Sequence, residues 1–134
     1  MNIEIVNIVN VDRIWPTAAG RFGRAAEKCG DDLSLGELWQ MCRSGNAFLV
    51  VATDETGLLM ACVVRFERWT NGMVLRVLTL AGVRIGEWAE PVREFLANMA
   101  KDNEAGRVVA EGRDGWAAIF NEPRKLRSTY EMRV

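Results

Sequence analysis

The first third of the chain has apolar positions spaced for one strand and one long helix. Residues 3–9 are mostly β-branched and partly alternate with polar residues, which favours a strand. After Asp12, which suits an N-cap, apolar residues recur at helical spacing as far as Gly30, and Pro16 is tolerated in the first turn. A strand followed by an amphipathic helix is therefore predicted.

A second, short helix is predicted from a local capping pattern. Ser34 and Glu37 have the spacing of a capping box, in which the hydroxyl accepts the Glu37 backbone N–H and the carboxylate reaches back. Leu33 and Leu38 can pack as a hydrophobic staple. Gly45 is a natural stop, so we expect this helix to end near it.

The middle of the chain predicts three antiparallel strands. Residues 47–52 form a continuous apolar run, which favours a strand covered on both faces. Residues 58–69 and 73–81 flank Asn71 and Gly72, the strongest short hairpin signal in the sequence. The three runs together predict a meander.

A helix and a parallel strand are predicted after the meander. Apolar residues repeat at helical spacing beyond Trp88, and Pro91 places the helix start near Gly86 or Glu87. Residues 107–111 then form the return strand. Because the helix is a crossover, this strand should run parallel to the last strand of the meander. The point where such strands part, beside a helix start, is where α/β proteins bind ligands.

Two shorter elements complete the predicted order. Residues 114–120 favour a short helix, Pro123 breaks the chain, and residues 127–134 favour a last strand. The predicted fold is a single α+β domain over residues 1–134, ordered β-α-α-β-β-β-α-β-α-β around a mixed sheet. A free edge at the last strand would suit a homodimer.

Composition excludes several classes of function. The 134 residues carry a net charge of −1 and no long basic block, so nucleic-acid binding is not expected. The absence of histidine removes imidazole catalysis and histidine-bound metals, and we expect no metal. With no apolar run of the roughly 20 residues that a membrane span needs, a cytoplasmic protein without membrane contact is expected. Cys29, Cys42 and Cys62 are predicted to be small buried residues rather than disulfide or metal ligands.

Three segments resemble the GNAT N-acyltransferase superfamily. They are residues 75–82, the helix start at residues 86–88, and residues 111–116, which read Glu-Gly-Arg-Asp-Gly-Trp. With the order of elements, they make the whole chain similar to GNAT proteins, and more narrowly to small GNAT-like proteins of tailed phages and prophages. The resemblance implies acetyl-CoA as the cofactor and an amine of a small molecule or a protein as the acceptor.

The resemblance also assigns a pyrophosphate site to the loop before the second long helix. In GNAT enzymes, backbone N–H groups and a helix N-terminus hold the pyrophosphate there. The two loop glycines are farther apart here than is usual, and Glu87 and Glu90 in the first turn would repel a phosphate, whereas Arg84 would attract one. The residues implied to bind acetyl-CoA are Gly82, Val83, Arg84, Ile85, Gly86 and Arg113.

GNAT enzymes use a base that deprotonates the ammonium group and often a tyrosine that protonates the leaving thiolate. Glu111, at the carboxyl end of the return strand, is the best-placed base; the alternative is an ion pair with Arg113 or a cap for the next helix. Tyr130, the single tyrosine, is the acid candidate, with a packing role as the alternative. Glu67 is a weaker base candidate, with a solvated strand residue as the alternative.

Two tryptophans have specific predicted roles. Trp116 is expected to pack the short helix onto the sheet while Arg113 holds the turn; the functional alternative is an Arg113 fork to a phosphate or carboxylate. Trp69, which follows Arg65 and Arg68, is expected to be exposed and would suit a protein interface.

Two hypotheses of function follow from the sequence. The first is an acyl-CoA-dependent N-acyltransferase in which Glu111 assists deprotonation. The second is a non-catalytic GNAT-like binding or assembly module of phage or prophage origin, favoured by the acidic helix start. Fold-level analogy favours the first but does not by itself make a site.

Overall fold

A computed structural model describes residues 1–28, 33–111, 116 and 118–134 of the chain. Residues 114, 115 and 117 of the predicted helix over residues 114–120 therefore lie outside the described residues. The described part forms a sheet flanked by helices, with a short 3-10 turn after the first strand. The elements are β1 (Asn2–Ile5), α1 (Val11–Lys28), α2 (Leu35–Ser44), β2 (Phe48–Asp54), β3 (Gly57–Trp69), β4 (Gly72–Gly82), α3 (Ile85–Asp102) and β5 (Arg107–Ala110).

The five strands form one mixed sheet in the order β1-β2-β3-β4-β5. The first three pairings are antiparallel, and β4 pairs with β5 in parallel. The helix α3 is the crossover that returns the chain to the same end of the sheet. The predicted meander, the helical crossover and the parallel return strand are all confirmed.

Local signals determine where α2 begins and ends. The Ser34 hydroxyl accepts a hydrogen bond from the Glu37 backbone N–H at 3.1 Å, so the hydroxyl half of the predicted capping box is confirmed. Gly45 follows the helix with φ 83°, in the left-handed region that glycine adopts without a steric cost.

The sheet buries apolar side chains on both faces. On one face, here called the α3 side, Trp88 and Leu96 pack against the sheet. On the other, the α1 side, Phe22 and Leu38 do so. Successive residues of β2 alternate between the two cores, which confirms the prediction of a strand covered on both faces. The β2 residues on the α3 side are Val50 and Ala52, and those on the α1 side are Leu49 and Val51.

The first and last predicted strands differ from the structure. The first strand ends at Ile5, because the Asn7 side chain accepts the Val9 N–H at 3.2 Å and starts the 3-10 turn. The predicted strand over residues 127–134 is wrong: this segment is exposed and has no regular structure. An alternating pattern of apolar and polar residues does not make a strand where no neighbouring strand supplies backbone hydrogen bonds. The segment instead contacts the end of β5 through the Arg127 side chain, which donates to Glu111. A homodimer through that strand thus loses its structural basis.

Candidate functional site

The candidate site lies where β4 and β5 part. Their parallel pairing runs from Val74 and Arg107 to Val77 and Ala110, where β5 ends. Beyond Val77, β4 continues as far as Gly82, paired only with β3 in the described part of the chain. The sheet is therefore open on this side of β4, next to the start of α3.

A β-bulge marks the beginning of this opening. Val64 pairs with Val77 and Val63 pairs with Thr79, so Leu78 is an extra residue of β4 without a partner in β3. Thr79 is 5% exposed, and its hydroxyl makes no hydrogen bond with any residue that the structure describes. A buried hydroxyl without a hydrogen-bond partner lowers the stability of the fold by about 1–3 kcal/mol. Such groups are rare in proteins, and a functional role is one reason for keeping one.

The loop from β4 to α3 is closely packed around a tryptophan. The indole N–H of Trp88 donates to the Val83 carbonyl at 2.8 Å, and the Val83 N–H donates to the Leu59 carbonyl at 2.8 Å. A Cβ on Gly82 would lie 2.6 Å from the Leu59 carbonyl oxygen and 2.9 Å from the Trp88 ring. Only glycine fits at position 82, so this glycine serves packing directly.

Arg84 is engaged by groups of the protein itself. Its guanidinium lies 3.1 Å from Asp54 Oδ2, 2.8 Å from Thr56 Oγ1 and 3.2 Å from Glu87 Oε2. Hydrogen bonds from Thr56, together with the Arg84 guanidinium, hold the pKa of Asp54 below its ordinary value despite partial burial. The positive charge predicted to attract a phosphate is thus balanced by two carboxylates.

The first turn of α3 offers backbone donors in open space. Arg84 occupies the N-cap with φ 56° and provides no side-chain cap, so the first N–H groups of the helix depend on other partners. Glu87 uses its own N–H in a bond to the Arg84 carbonyl at 2.9 Å. A Cβ on Gly86 would meet nothing within 4 Å, and Val83 and Ile85 are exposed. This turn can therefore accept an anion beside Gly86.

Glu111 directly follows β5 and is held by two arginines. Its Oε1 lies 3.0 Å from Arg76 Nη2 and 2.8 Å from Arg127 Nη2. Within the described residues no donor contacts Oε2, which leaves one carboxylate oxygen able to accept a proton. The predicted alternative, an ion pair with Arg113, lies outside the described residues, as does the predicted role of Arg113 toward a phosphate.

Glu67 is half-buried rather than a solvated strand residue. Its carboxylate accepts from Arg65 Nε at 2.6 Å, Arg76 Nη1 at 3.1 Å and Trp69 Nε1 at 3.1 Å. Burial disfavours its ionised form, but the indole and guanidinium donors outweigh burial and lower the pKa of Glu67 below its ordinary value. Donors occupy both oxygens of this carboxylate, so the structure argues against Glu67 as the proton acceptor.

Sequence reasoning missed the group of arginines around this carboxylate. The hairpin turn consists of Thr70 and Asn71, one residue earlier than predicted, since Trp69 pairs with Gly72. Arg65 and Arg76 are then directly opposite. Side chains alternate along strands, so counting outward from the hairpin would have shown that both arginines share a face with Glu67.

Trp69 is not exposed as predicted but half-buried between two cations. The guanidinium carbons of Arg107 and Arg127 lie 5.2 and 5.3 Å from the centre of its ring. The sequence places these arginines nearly 40 and 60 residues away, so no local pattern could have indicated the contact. Arg68, by contrast, is exposed.

The remaining predicted residues occupy separate places. Tyr130 is 90% exposed and belongs to neither core cluster. Trp116 packs against the core on the α3 side, as predicted, and its ring lies 5.1 Å from that of Phe120. Its indole donates to the Glu111 carbonyl at 3.3 Å, which fixes the chain at the end of β5.

The described cysteines are buried thiols, as predicted, and Cys29 lies outside the described residues. Burial raises the pKa of Cys42 and of Cys62 to about 12. Among the described residues, no cluster of three or more histidine, cysteine or acidic side chains could hold a metal ion. No helix in the described part of the chain is long and apolar enough to span a membrane.

Comparisons with known proteins identify the fold. No protein-family model matches the sequence, and no curated protein matches it. Among solved structures, the chain is similar to a ribosomal-protein-alanine N-acetyltransferase from Brucella melitensis, at 12% identity and a TM-score of 0.71, covering 100% of both chains. A predicted acetyltransferase with acetyl-CoA from Clostridium acetobutylicum gives 11% identity and 0.70, with 98% of this chain and 95% of that one covered. A GNAT family acetyltransferase from Staphylococcus aureus is 10% identical with a TM-score of 0.64, and the match covers 99% of this chain and 98% of that one. With its mixed five-stranded sheet and three helices, the chain has the fold of the GNAT acyl-CoA N-acyltransferases.

Proposed function

We propose that this protein is an acetyl-CoA-dependent N-acetyltransferase that acts on a primary amine. The observation that carries the proposal is the end of β4–β5 pairing at Val77 and Ala110, next to Glu111 and the start of α3. An opening between parallel strands beside a helix N-terminus is a place where a ligand can reach backbone donors. The solved acetyltransferases of the same fold, one of them with acetyl-CoA, support the proposal.

The start of α3 fits the pyrophosphate of acetyl-CoA. Open space surrounds Gly86, and the N–H groups of the first helical turn carry roughly half a positive charge. The Ile85 and Gly86 N–H groups would hold the pyrophosphate, with Arg84 beside them. When bound, the thioester supplies the acetyl group: its C–S bond breaks as the C–N bond to the amine forms, and the sulfur leaves as a thiolate.

Glu111 is the proposed proton acceptor for the amine. Arg76 and Arg127 hold its Oε1, which fixes the carboxylate and leaves Oε2 to take a proton from the ammonium form, directly or through one water. The deprotonated amine is then the nucleophile. The structure gives no support to Tyr130 as the acid, so we assign protonation of the thiolate to solvent, which also takes up the second proton that the nitrogen loses as the amide forms.

The test combines binding with transfer. Isothermal titration with acetyl-CoA should show one specific site, and release of free thiol should follow when an amine is added. Glu111→Gln should leave acetyl-CoA binding intact and lower kcat by about a hundredfold or more. Glu4→Gln, an exposed change on the far edge of the sheet, should leave both unchanged. Absence of acetyl-CoA binding at millimolar concentration would refute the proposal.

The second candidate is a non-catalytic binding or assembly module. It is favoured by the engagement of Arg84 with Asp54 and Glu87, which balances the charge that a pyrophosphate would need. A role in a phage or prophage setting, expected from the sequence, belongs with this candidate. A protein that folds normally and fails to bind acetyl-CoA is the result that this candidate predicts.

A further inference from the structure

The α1 side of β3, β4 and β5 carries an excess of positive charge close to the proposed transfer site. Trp69 lies at its centre, and strand pairing places Val74 beside Arg107 and opposite Glu67. Within the described residues, four guanidinium groups face two carboxylates. The members of this arginine cluster are Arg65, Arg76 and Arg127, which pair with Glu67 or Glu111, and Arg107, which contacts Trp69.

Arg107 is the member of the cluster that lacks a carboxylate. It is half-buried and contacts the Trp69 ring, and no acidic side chain in the described part of the chain pairs with it. Arg127 lies against the same ring but pairs with Glu111 at 2.8 Å, whereas no described carboxylate balances the charge of Arg107. Partial burial weakens solvent screening, so a bound anion at Arg107 is favourable.

The cluster already shows which anion it suits. The Glu67 carboxylate is bound by two guanidinium groups and by the Trp69 indole N–H. Planar guanidinium forks match the geometry of a carboxylate, and such charge-assisted hydrogen bonds are the strong ones. A carboxylate of a ligand can meet Arg107 beside Trp69 in the same manner.

The position of Arg107 relative to Glu111 sets the size of the ligand. Both residues belong to the return strand or its end, four positions apart, and both reach the α1 side. Four residues of strand separate the Cα atoms of Arg107 and Glu111 by roughly 13 Å, and both side chains leave the strand on the same face. An extended peptide advances about 3.3–3.6 Å per residue, so about four peptide residues span this distance.

We propose that the acceptor is a peptide whose free amine lies at Glu111 and whose carboxylate, about four residues away, binds Arg107 beside Trp69. This inference rests on the proposed acetyltransferase function and specifies its acceptor. The carboxylate is either the end of a tetrapeptide or an acidic side chain in a longer segment.

Two matched pairs of peptides test the inference by titration without acetyl-CoA. The first pair is tetraglycine and its C-terminal amide. The second is Gly-Gly-Gly-Asp-Gly amide and Gly-Gly-Gly-Asn-Gly amide, which separates a side-chain carboxylate from a terminal one. At least one carboxylate peptide should bind about tenfold more tightly than its neutral partner. Arg107→Gln should remove the preference, and Arg107→Lys should restore part of it, because lysine keeps the charge without the fork.

Arg68→Gln is the matched control, since it removes the same charge from an exposed residue of β3. It should keep the preference. Equal binding within both pairs, no binding of any of the peptides, or a preference that survives in a folded Arg107→Gln variant would overturn the inference. Acetyl transfer without a carboxylate preference would refute this inference alone. A preference without acetyl-CoA binding would instead refute the acetyltransferase and leave the carboxylate site.

Discussion

Replacing Gly82 by alanine tests the packing that shapes the loop between β4 and α3. The new methyl group would lie 2.6 Å from the Leu59 carbonyl oxygen and 2.9 Å from the Trp88 ring. Neither neighbour can move freely. The Leu59 oxygen accepts the Val83 N–H, and Trp88 is 2% exposed and hydrogen-bonded to the Val83 carbonyl. Relief of the clash must therefore displace the strand end or break one of these bonds.

The expected loss of stability follows from these two costs. Overpacking of a close-packed core costs about 1–3 kcal/mol, and a lost hydrogen bond adds about 1 kcal/mol. The sum is roughly 2–4 kcal/mol. At about 2.1 cal/mol/K per residue, a chain of 134 residues has an unfolding entropy of about 0.3 kcal/mol/K. The Tm should therefore fall by about 7–14 °C.

Thermal unfolding followed by circular dichroism measures this change, with Gly86→Ala as the matched control. A methyl group on Gly86 meets nothing within 4 Å, and alanine is favoured over glycine in a helix by up to about 1 kcal/mol. The control should unfold at the same temperature or slightly higher. A Gly82→Ala variant with the Tm of the unaltered protein would show that Trp88 does not pack beneath the loop as described.

Three further variants address charge and capping. Glu87→Gln removes one partner of Arg84 and should tighten acetyl-CoA binding severalfold by titration, whereas Glu94→Gln, exposed on the same helix, should not. Because the pKa of Glu67 is lowered on folding, its stabilisation is present above its unfolded value of 4.5 and is lost as pH falls through the folded pKa. Urea denaturation should thus find Glu67→Gln less stable than the unaltered protein at pH 7, and this difference should shrink as the pH falls below 4.5. Ser34→Ala should cost about 1 kcal/mol in the same assay, and an unchanged midpoint would contradict the capping bond.

The fold could be predicted because its main signals are local. The capping pattern at Ser34, the apolar run of β2 and the helical spacing after Trp88 each act within a few residues. The order of these elements along the chain then predicted a meander followed by a parallel return strand. The prediction of a strand over residues 127–134 was wrong. Alternation of apolar and polar residues indicates which side chains a strand would bury, but it does not indicate whether a neighbouring strand is present.

The candidate site was predictable only in part. The topology placed Glu111 at the end of the return strand, but its partners Arg76 and Arg127 lie 35 residues before it and 16 residues after it. The engagement of Arg84 with Asp54 likewise joins segments 30 residues apart. Long-range ion pairs carry no periodic signal in a single sequence. Strand register is the one rule that could have placed Arg76 on the face of Glu67.

The start of α3 and the surface around Arg107 differ in their charge balance, and this difference bears on both proposals. At the start of α3, Arg84 is balanced by Asp54 and Glu87, so an anion there must compete with the protein's own carboxylates. On the α1 side, Arg107 has no such competitor among the described residues, so an anion there balances its charge. Added salt should therefore weaken the binding of a carboxylate at Arg107. At Arg84, salt screens the attraction of an anion to the arginine but also its repulsion from Asp54 and Glu87, so the two effects partly cancel. A preference for the carboxylate peptide over its neutral partner that shrinks as salt is added would agree with this charge distribution, and a preference that salt does not change would contradict it.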